Sequence, residues 1–176
     1  VYKRQHTATA HAVEYTCAKA KLVDIDFESG NLKLEEIKKN VTKKTKGIIV
    51  VHMAGYPCEI DKIKKFCSKK RITLLEDCAH ALGTYKKNNH VGNFGKTGCF
   101  SFYPTKQITT GEGGMITTNN SKLYKKMKAL GENLKNALND AASFSMFREA
   151  ADSALLAAKE LNASASAQVV ALFKAR

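Results

Sequence analysis

Short runs of apolar, mostly β-branched residues alternate along this chain with segments whose apolar residues recur at helical spacing. The clearest run, 47–53, has the composition of a strand buried on both faces, and a helical repeat follows it at 60–67. Further strands are predicted at 21–26, 72–76, 98–102 and 114–118, and further helices at 32–41 and 121–130. This alternation predicts an α/β fold of three layers, in which helices cover a mainly parallel sheet.

The last forty residues differ in composition from the rest of the chain. Thirteen of them are alanine, and four basic residues balance four acidic ones, so the formal charge of +13 lies upstream. Apolar residues between 147 and 161 recur at helical spacing. We therefore divide the chain into 1–136, which carries the α/β pattern, and 137–176, an added alanine-rich helical tail that is a candidate for foreign sequence.

Composition also bears on where the protein works. No stretch has the unbroken apolar length that a membrane span needs, and residues 1–5 lack the apolar core of a signal peptide. The five cysteines are scattered without CxxC spacing, and their odd number argues against a closed disulfide framework. These observations favour a cytoplasmic protein without membrane contact, and no metal site is predicted.

The net charge of +13 allows another class of function, a noncatalytic basic module that binds nucleic acid. The lysines fall mostly on the polar faces of predicted helices, however, and no aromatic residues are interleaved with them. Because this pattern is typical of a solvated surface, we expect no nucleic-acid partner.

A single lysine lies in an unusual loop between the last two predicted strands. The segment from Gly98 to Gly114 runs from a strand into a loop rich in glycine and hydroxyl residues, and it contains Lys106. A partly desolvated pocket disfavours the ammonium form of lysine, which makes the side chain available as an amine nucleophile. The glycines and hydroxyls around it can hold phosphate oxygens. From the residues alone, an ordinary turn with an exposed lysine is an equal alternative.

A second polar cluster follows the strand predicted at 72–76. Asp77 stands at the C-terminal end of this strand, where ligands collect in open α/β sheets, and His80 follows three residues later. Taken alone, Asp77 is more typical of a helix N-cap, and His80 of a structural residue.

Together the two motifs resemble the signature of the DegT/DnrJ/StrS sugar aminotransferases, fold-type-I enzymes that depend on pyridoxal 5′-phosphate (PLP). The family's strand-end aspartate with Gln or His three residues later corresponds to Asp77 and His80. Its serine five residues before the Schiff-base lysine corresponds to Ser101 before Lys106. Three other segments are similar to family sequence: 9–13 and 23–26, which match its early strand region, and 51–58.

The resemblance implies a role for each site residue. Asp77 would hold the proton on the pyridine nitrogen, which keeps the cofactor an electron sink. Lys106 would bind the cofactor as a Schiff base and then move a proton during catalysis. Ser101 would bind the phosphate, His80 would contact the 3′-hydroxyl side, and His6 would stack on the pyridine ring.

The function that the resemblance implies is transfer of an amino group, typically from glutamate, to a nucleotide-linked keto-sugar by a homodimer. A sugar dehydratase of the same family is the alternative, but there histidine usually occupies the position of Lys106. The similarity runs from about His6 to Leu130, without the family's upstream Gly-Thr segment or small C-terminal domain. We therefore expect 1–136 to be part of a PLP-binding large domain, and the 176-residue chain to be inactive by itself.

Overall fold

The computed structural model describes residues 7–139 and 168–171. The helices are α1 (Thr7–Glu14), α2 (Leu34–Asn40), α3 (Ile60–Lys70) and α4 (Ser121–Asn139), and a short 3₁₀ helix spans Met53–Gly55. The strands are β1 (Gly47–Val51), β2 (Thr73–Asp77), β3 (Tyr85–Lys86), β4 (Asn89–His90), β5 (Thr97–Ser101), β6 (Gly114–Thr118) and β7 (Gln168–Ala171). None of the helices in these ranges is long and apolar enough to cross a membrane.

Five strands form one sheet in the order β1-β2-β5-β6-β7, and β3 and β4 form a separate hairpin. Strands β1, β2 and β5 run parallel, whereas β6 and β7 are antiparallel to their neighbours. This arrangement confirms the predicted α/β fold with a mainly parallel sheet and helices packed on it. The carboxyl ends of β1, β2 and β5 meet at one edge, because the three strands point the same way.

The core between α3 and the sheet follows from the spacing of apolar residues. Ile60, Ile63 and Cys67 lie three and four positions apart, so they share one face of α3, and all three are buried. They pack in one apolar cluster with Val50 of β1 and Leu74 of β2. Burial of each isoleucine contributes about 1.5–3 kcal/mol, which fixes α3 against the parallel strands.

Two segments do not form the strands expected of them. One is 21–26, which was predicted as a strand, and the other is 9–13, which was compared with the family's early strand region. Residues 21–26 form only an isolated antiparallel bridge, Ile25 with Leu32. The chain turns back here, because the Asp26 carboxylate accepts hydrogen bonds from the Ser29 backbone N–H at 3.0 Å and hydroxyl at 2.8 Å. Residues 9–13, compared with the family's early strand region, lie in helix α1, whose alternating alanines favour a helix.

The tail differs from the expected helix where the structure describes it. Helix α4 continues through Asn139, but Gln168–Ala171 form strand β7 at the outer edge of the sheet, next to β6. The consecutive β-branched pair at 169–170 favours a strand over a helix. The expectation of a helix was therefore wrong for these four residues, and the rest of 140–176 lies outside the described residues. The division at 136/137 stays a prediction.

Candidate active site

Strand register places Asp77 and Ser101 on one face of the sheet. Asp77 is the last residue of β2 and pairs in parallel register with Cys99 of β5. Register partners in a parallel pair point to the same face, and so do residues two apart on one strand. Ser101, two residues after Cys99, therefore shares the face of Asp77 at the carboxyl edge of the sheet.

The Asp77 carboxylate is half-buried and held from two sides. Its Oδ1 accepts a hydrogen bond from the Ala79 backbone N–H at 3.1 Å, and its Oδ2 accepts one from the Thr9 hydroxyl at 2.7 Å. The backbone is fixed as well, since the Asp77 carbonyl accepts from the His52 N–H at 3.1 Å. Within residues 7–139 and 168–171, no basic side chain forms an ion pair with Asp77.

Lys106 lies in the loop between β5 and β6, which a buried phenylalanine anchors. The ring of Phe102 is 1% exposed. Its backbone N–H donates to the Gly113 carbonyl at 2.9 Å, and its carbonyl accepts from the Thr110 N–H at 3.0 Å. Lys106 itself stands in a tight turn, donating its backbone N–H to the Tyr103 carbonyl at 2.9 Å, and its side chain is half-buried. The loop therefore has a defined shape, with the lysine near its tip.

Gln107 ties the lysine loop to the loop that follows Asp77. Its side-chain N–H donates to the backbone carbonyl of His80. The two loops are thus joined one residue after Lys106 and three residues after Asp77. The imidazole of His80 is half-buried, and the Ser101 hydroxyl accepts from the Tyr103 N–H at 3.3 Å.

On the opposite face of β2, Glu76 is the centre of a buried hydrogen-bond network. Its Oε2 accepts from His52 Nε2 at 3.0 Å and from the Gly92 N–H at 2.8 Å. Its Oε1 accepts from the backbone N–H groups of Phe94 at 2.8 Å and Gly95 at 2.6 Å. Four donors thus satisfy a carboxylate that is 1% exposed, and they fasten the segment before β5 to β2.

Cys78 completes a buried trio with His52 and Glu76, whose ligand atoms all lie within 4.8 Å of one another. The trio has the residue types of a metal site, but the lone pairs of Glu76 and of His52 Nδ1 already accept hydrogen bonds. His52 Nδ1 accepts from the Cys58 N–H at 3.2 Å, so we assign the ring proton to Nε2, which donates to Glu76. Burial raises the pKa of the Cys78 thiol well above its usual range, which keeps the sulfur protonated. The arrangement is that of a structural network.

The structure thus brings together four of the five site residues that the sequence predicted. Asp77 and Ser101 share a face at adjacent strand ends, and His80 and Lys106 lie in two loops that are joined by a hydrogen bond. His6 lies outside the described residues.

Three further residues of this region were not predicted: Thr9, Glu76 and Gln107. The sequence carried a signal for Glu76 alone, since a charged residue interrupts a run that otherwise reads as a buried strand.

A family model matches the part of the chain that carries these candidate site residues. The model of the DegT/DnrJ/EryC1/StrS aminotransferase family matches residues 3–144. The chain belongs to this family. Among relatives in the family, GDP-perosamine synthase of Escherichia coli O157:H7 is 40% identical over 119 residues, which are 68% of this chain and 33% of that protein.

Solved structures agree with the fold. The aminotransferase from Psychrobacter cryohalolentis matches with a TM-score of 0.72 at 40% identity, covering 74% of this chain and 33% of that one. E. coli GDP-4-keto-6-deoxy-D-mannose-3-dehydratase with bound hydrated PLP matches with a TM-score of 0.68 at 33% identity, covering 74% and 34%. This chain therefore spans about a third of the length of the relatives it matches.

Proposed function

We propose that this chain forms the cofactor-binding core of an enzyme that transfers an amino group, typically from glutamate, to a nucleotide-linked keto-sugar. The observation that carries the proposal is the junction of two loops, in which Gln107 joins the loop of Lys106 to the loop that follows Asp77. The printed names of its relatives, GDP-perosamine synthase among them, support the substrate class. Because the chain spans about a third of their length, segments outside it complete the substrate pocket.

The residues at this edge of the sheet fit PLP by their chemistry. A carboxylate held by two donors keeps lone pairs free, and Asp77 has no ion-pair partner in the part of the chain that the structure describes. Such a group suits the protonated nitrogen of a pyridine ring. When bound, PLP supplies an electron sink for the substrate's reacting carbon.

Each predicted side chain then has a role at a particular part of the cofactor. Asp77 would hold the proton on the ring nitrogen through its carboxylate, and the Ser101 hydroxyl would bind the phosphate. The Lys106 amine would hold the cofactor covalently and would also be the group that moves a proton at the reacting carbon. His80 would contact the side of the ring that carries the 3′-hydroxyl, and His6 would stack on the ring.

A dehydratase of the same family is the second candidate, since one such enzyme is among the structural matches. Amino transfer and dehydration require different residues at position 106. Lysine can hold the cofactor as an amine and act as a base, whereas histidine, usual in the dehydratases, acts only as a base. Lys106 therefore supports amino transfer.

We further propose that the enzyme works as a homodimer in the cytoplasm. Tyr103 and Ile108 lie in the loop of Lys106 and are 44% and 40% exposed. Large apolar side chains beside a reactive lysine are the kind of surface that a neighbouring subunit covers.

Covalent trapping tests the proposal directly. A polypeptide of full family length that carries these residues would be incubated with PLP, reduced with borohydride, digested with trypsin and mapped by mass. Lys96, Lys106 and Lys122 are consecutive trypsin sites, so a pyridoxyl group on Lys106 should block cleavage there and yield the modified peptide 97–122.

The matched variants are Lys106→Ala, which should abolish this labelled peptide, and Lys96→Ala, which removes an exposed lysine and should keep a label on Lys106. A label confined to surface lysines in the unchanged protein would contradict the proposal.

A further inference from the structure

We propose that Thr9 is a positioning residue for Asp77, and that its hydroxyl fixes the carboxylate oxygen that must face the ring nitrogen of the cofactor. The inference rests on the proposed function, because it concerns the same site. Thr9 lies 68 residues before Asp77 in the chain, in helix α1, and belongs to neither of the two loops that carry the site residues.

The contact between the two side chains is short and sheltered from water. Thr9 is 8% exposed, and its Oγ1 lies 2.7 Å from Asp77 Oδ2. This distance is usual for a hydroxyl that donates to a carboxylate, and a hydrogen bond to a charged acceptor is about twice as strong as a neutral one. A buried hydroxyl donating to a charge over this sequence separation joins helix α1 to the end of β2.

The second oxygen of the carboxylate is held by the chain next to it. Ala79 donates its backbone N–H to Oδ1 at 3.1 Å, across a turn of two residues. The Ala79 N–H therefore holds Oδ1 from the loop that follows Asp77, and the Thr9 hydroxyl holds Oδ2 from helix α1. With both oxygens engaged, the carboxylate cannot rotate about its Cβ–Cγ bond without breaking one of the two hydrogen bonds.

This restraint matters because a ring nitrogen needs a lone pair at a fixed place. Each carboxylate oxygen has two acceptor sites, so one remains on each oxygen after the two donors are counted. Thr9 supplies the only side-chain donor to Asp77 within residues 7–139 and 168–171. Without it, only the Ala79 N–H holds the carboxylate, which can then rotate about its Cβ–Cγ bond and move the lone pair away from the ring nitrogen.

A purely structural role for Thr9, which would dock α1 on the sheet, predicts a different outcome. Docking needs a side chain of the right size, whereas positioning needs the hydroxyl. Thr9→Val keeps the shape and removes the donor, while Thr9→Ser keeps the donor and removes a methyl group. Thr16→Val serves as the matched control, because Thr16 is exposed and its hydroxyl donates to the Val13 carbonyl, three residues earlier in the chain.

The decisive measurement compares PLP with its 1-deaza analogue, in which a C–H group replaces the ring nitrogen. Dissociation constants for both are measured by equilibrium dialysis in the full-length protein, for the unchanged sequence, the three threonine variants and Asp77→Asn. The ratio of the two constants isolates the contribution of the ring nitrogen. Thermal unfolding of each apoprotein is recorded in parallel.

We expect Thr9→Val to lower the preference for PLP over the analogue by about tenfold, the value of one hydrogen bond to a charged group. Thr9→Ser and Thr16→Val should keep the preference, and Asp77→Asn should abolish it. An equal loss of affinity for both compounds in Thr9→Val, or an unchanged preference, would overturn the positioning role. If the unchanged protein shows no PLP on Lys106 after reduction, the proposed function fails instead.

Discussion

Two consecutive carboxylates, Glu76 and Asp77, have opposite surroundings because neighbouring residues of a strand point to opposite faces. Glu76 is buried and accepts four hydrogen bonds, whereas Asp77 is half-buried and accepts two. The sequence predicts Asp77 as a site residue only through its place in a family motif, at the end of a strand. Residue type alone does not reveal donors 68 positions away, which is why Thr9 could not be predicted.

Replacing Glu76 with glutamine should destabilise the fold strongly. An amide turns one acceptor oxygen into an NH₂ group, which would then face two of the four N–H donors and leave them unpaired. We expect a loss of about 3 kcal/mol in the free energy of unfolding, measured by urea denaturation. Glu132→Gln is the control, since Glu132 is 61% exposed and its only ion pair among the described residues, with Lys128, is 3.8 Å long. A Glu76→Gln midpoint equal to that of the control would refute the role of the network.

Among the elements, those with strong apolar periodicity were predicted well, whereas the turn after 21–26 and the edge strand β7 were not. The strand predicted at 47–53 corresponds to β1 and the helix predicted at 60–67 corresponds to α3, because the buried face of α3 packs in one cluster with apolar residues of β1. The segment 21–26 alternates like a strand, but the Asp26 side chain closes a turn there. Strand β7 was missed because the alanine-rich composition of the tail was given more weight than the β-branched pair at 169–170, which pairs with β6.

The position of β7 at the edge of the sheet leads to a prediction about stability. It pairs with all four residues from Met115 to Thr118, so deleting 168–176 should leave the outer edge of β6 open. We expect the melting temperature to fall by about 4 °C, as a loss of about 1 kcal/mol would produce, and light scattering to show association of open edges.

Removing only 172–176 leaves β7 in place and is the matched control for the longer deletion. Identical melting curves for the two truncated chains would show that β7 contributes nothing to the sheet.

For the molecule as a whole, the alternation of strand and helix patterns predicted the fold class, and the resemblance to the sugar aminotransferases implied the same fold. The family match, residues 3–144, extends beyond the core predicted at 1–136. The surroundings of the site could not be predicted in the same way. Gln107 joins two loops through a backbone carbonyl, and any residue at position 80 would offer the same acceptor.

The chain covers about a third of its relatives' length, so a further prediction concerns activity. Catalysis requires the phosphate anchor, the ring-stacking side chain and the substrate pocket to be held within about 0.5 Å. We expect the 176-residue chain alone to convert no nucleotide keto-sugar, and a polypeptide of full family length that carries it to form the amino sugar. Chromatography of the sugar product with glutamate as donor measures both, and turnover by the short chain would contradict this expectation.

The four donors around Glu76 also have a consequence for how the sheet assembles. A one-residue slip of β2 against its neighbours would exchange the faces of the two adjacent carboxylates, since side chains alternate. Asp77 would then enter the interior with a side chain one methylene shorter, too short to reach all the donors that Glu76 satisfies. A slipped sheet would therefore leave buried N–H groups unpaired and lie well above the correct register in free energy. The hydrogen bonds of Glu76 therefore favour the register of β2 in which Asp77 lies on the face of the candidate site.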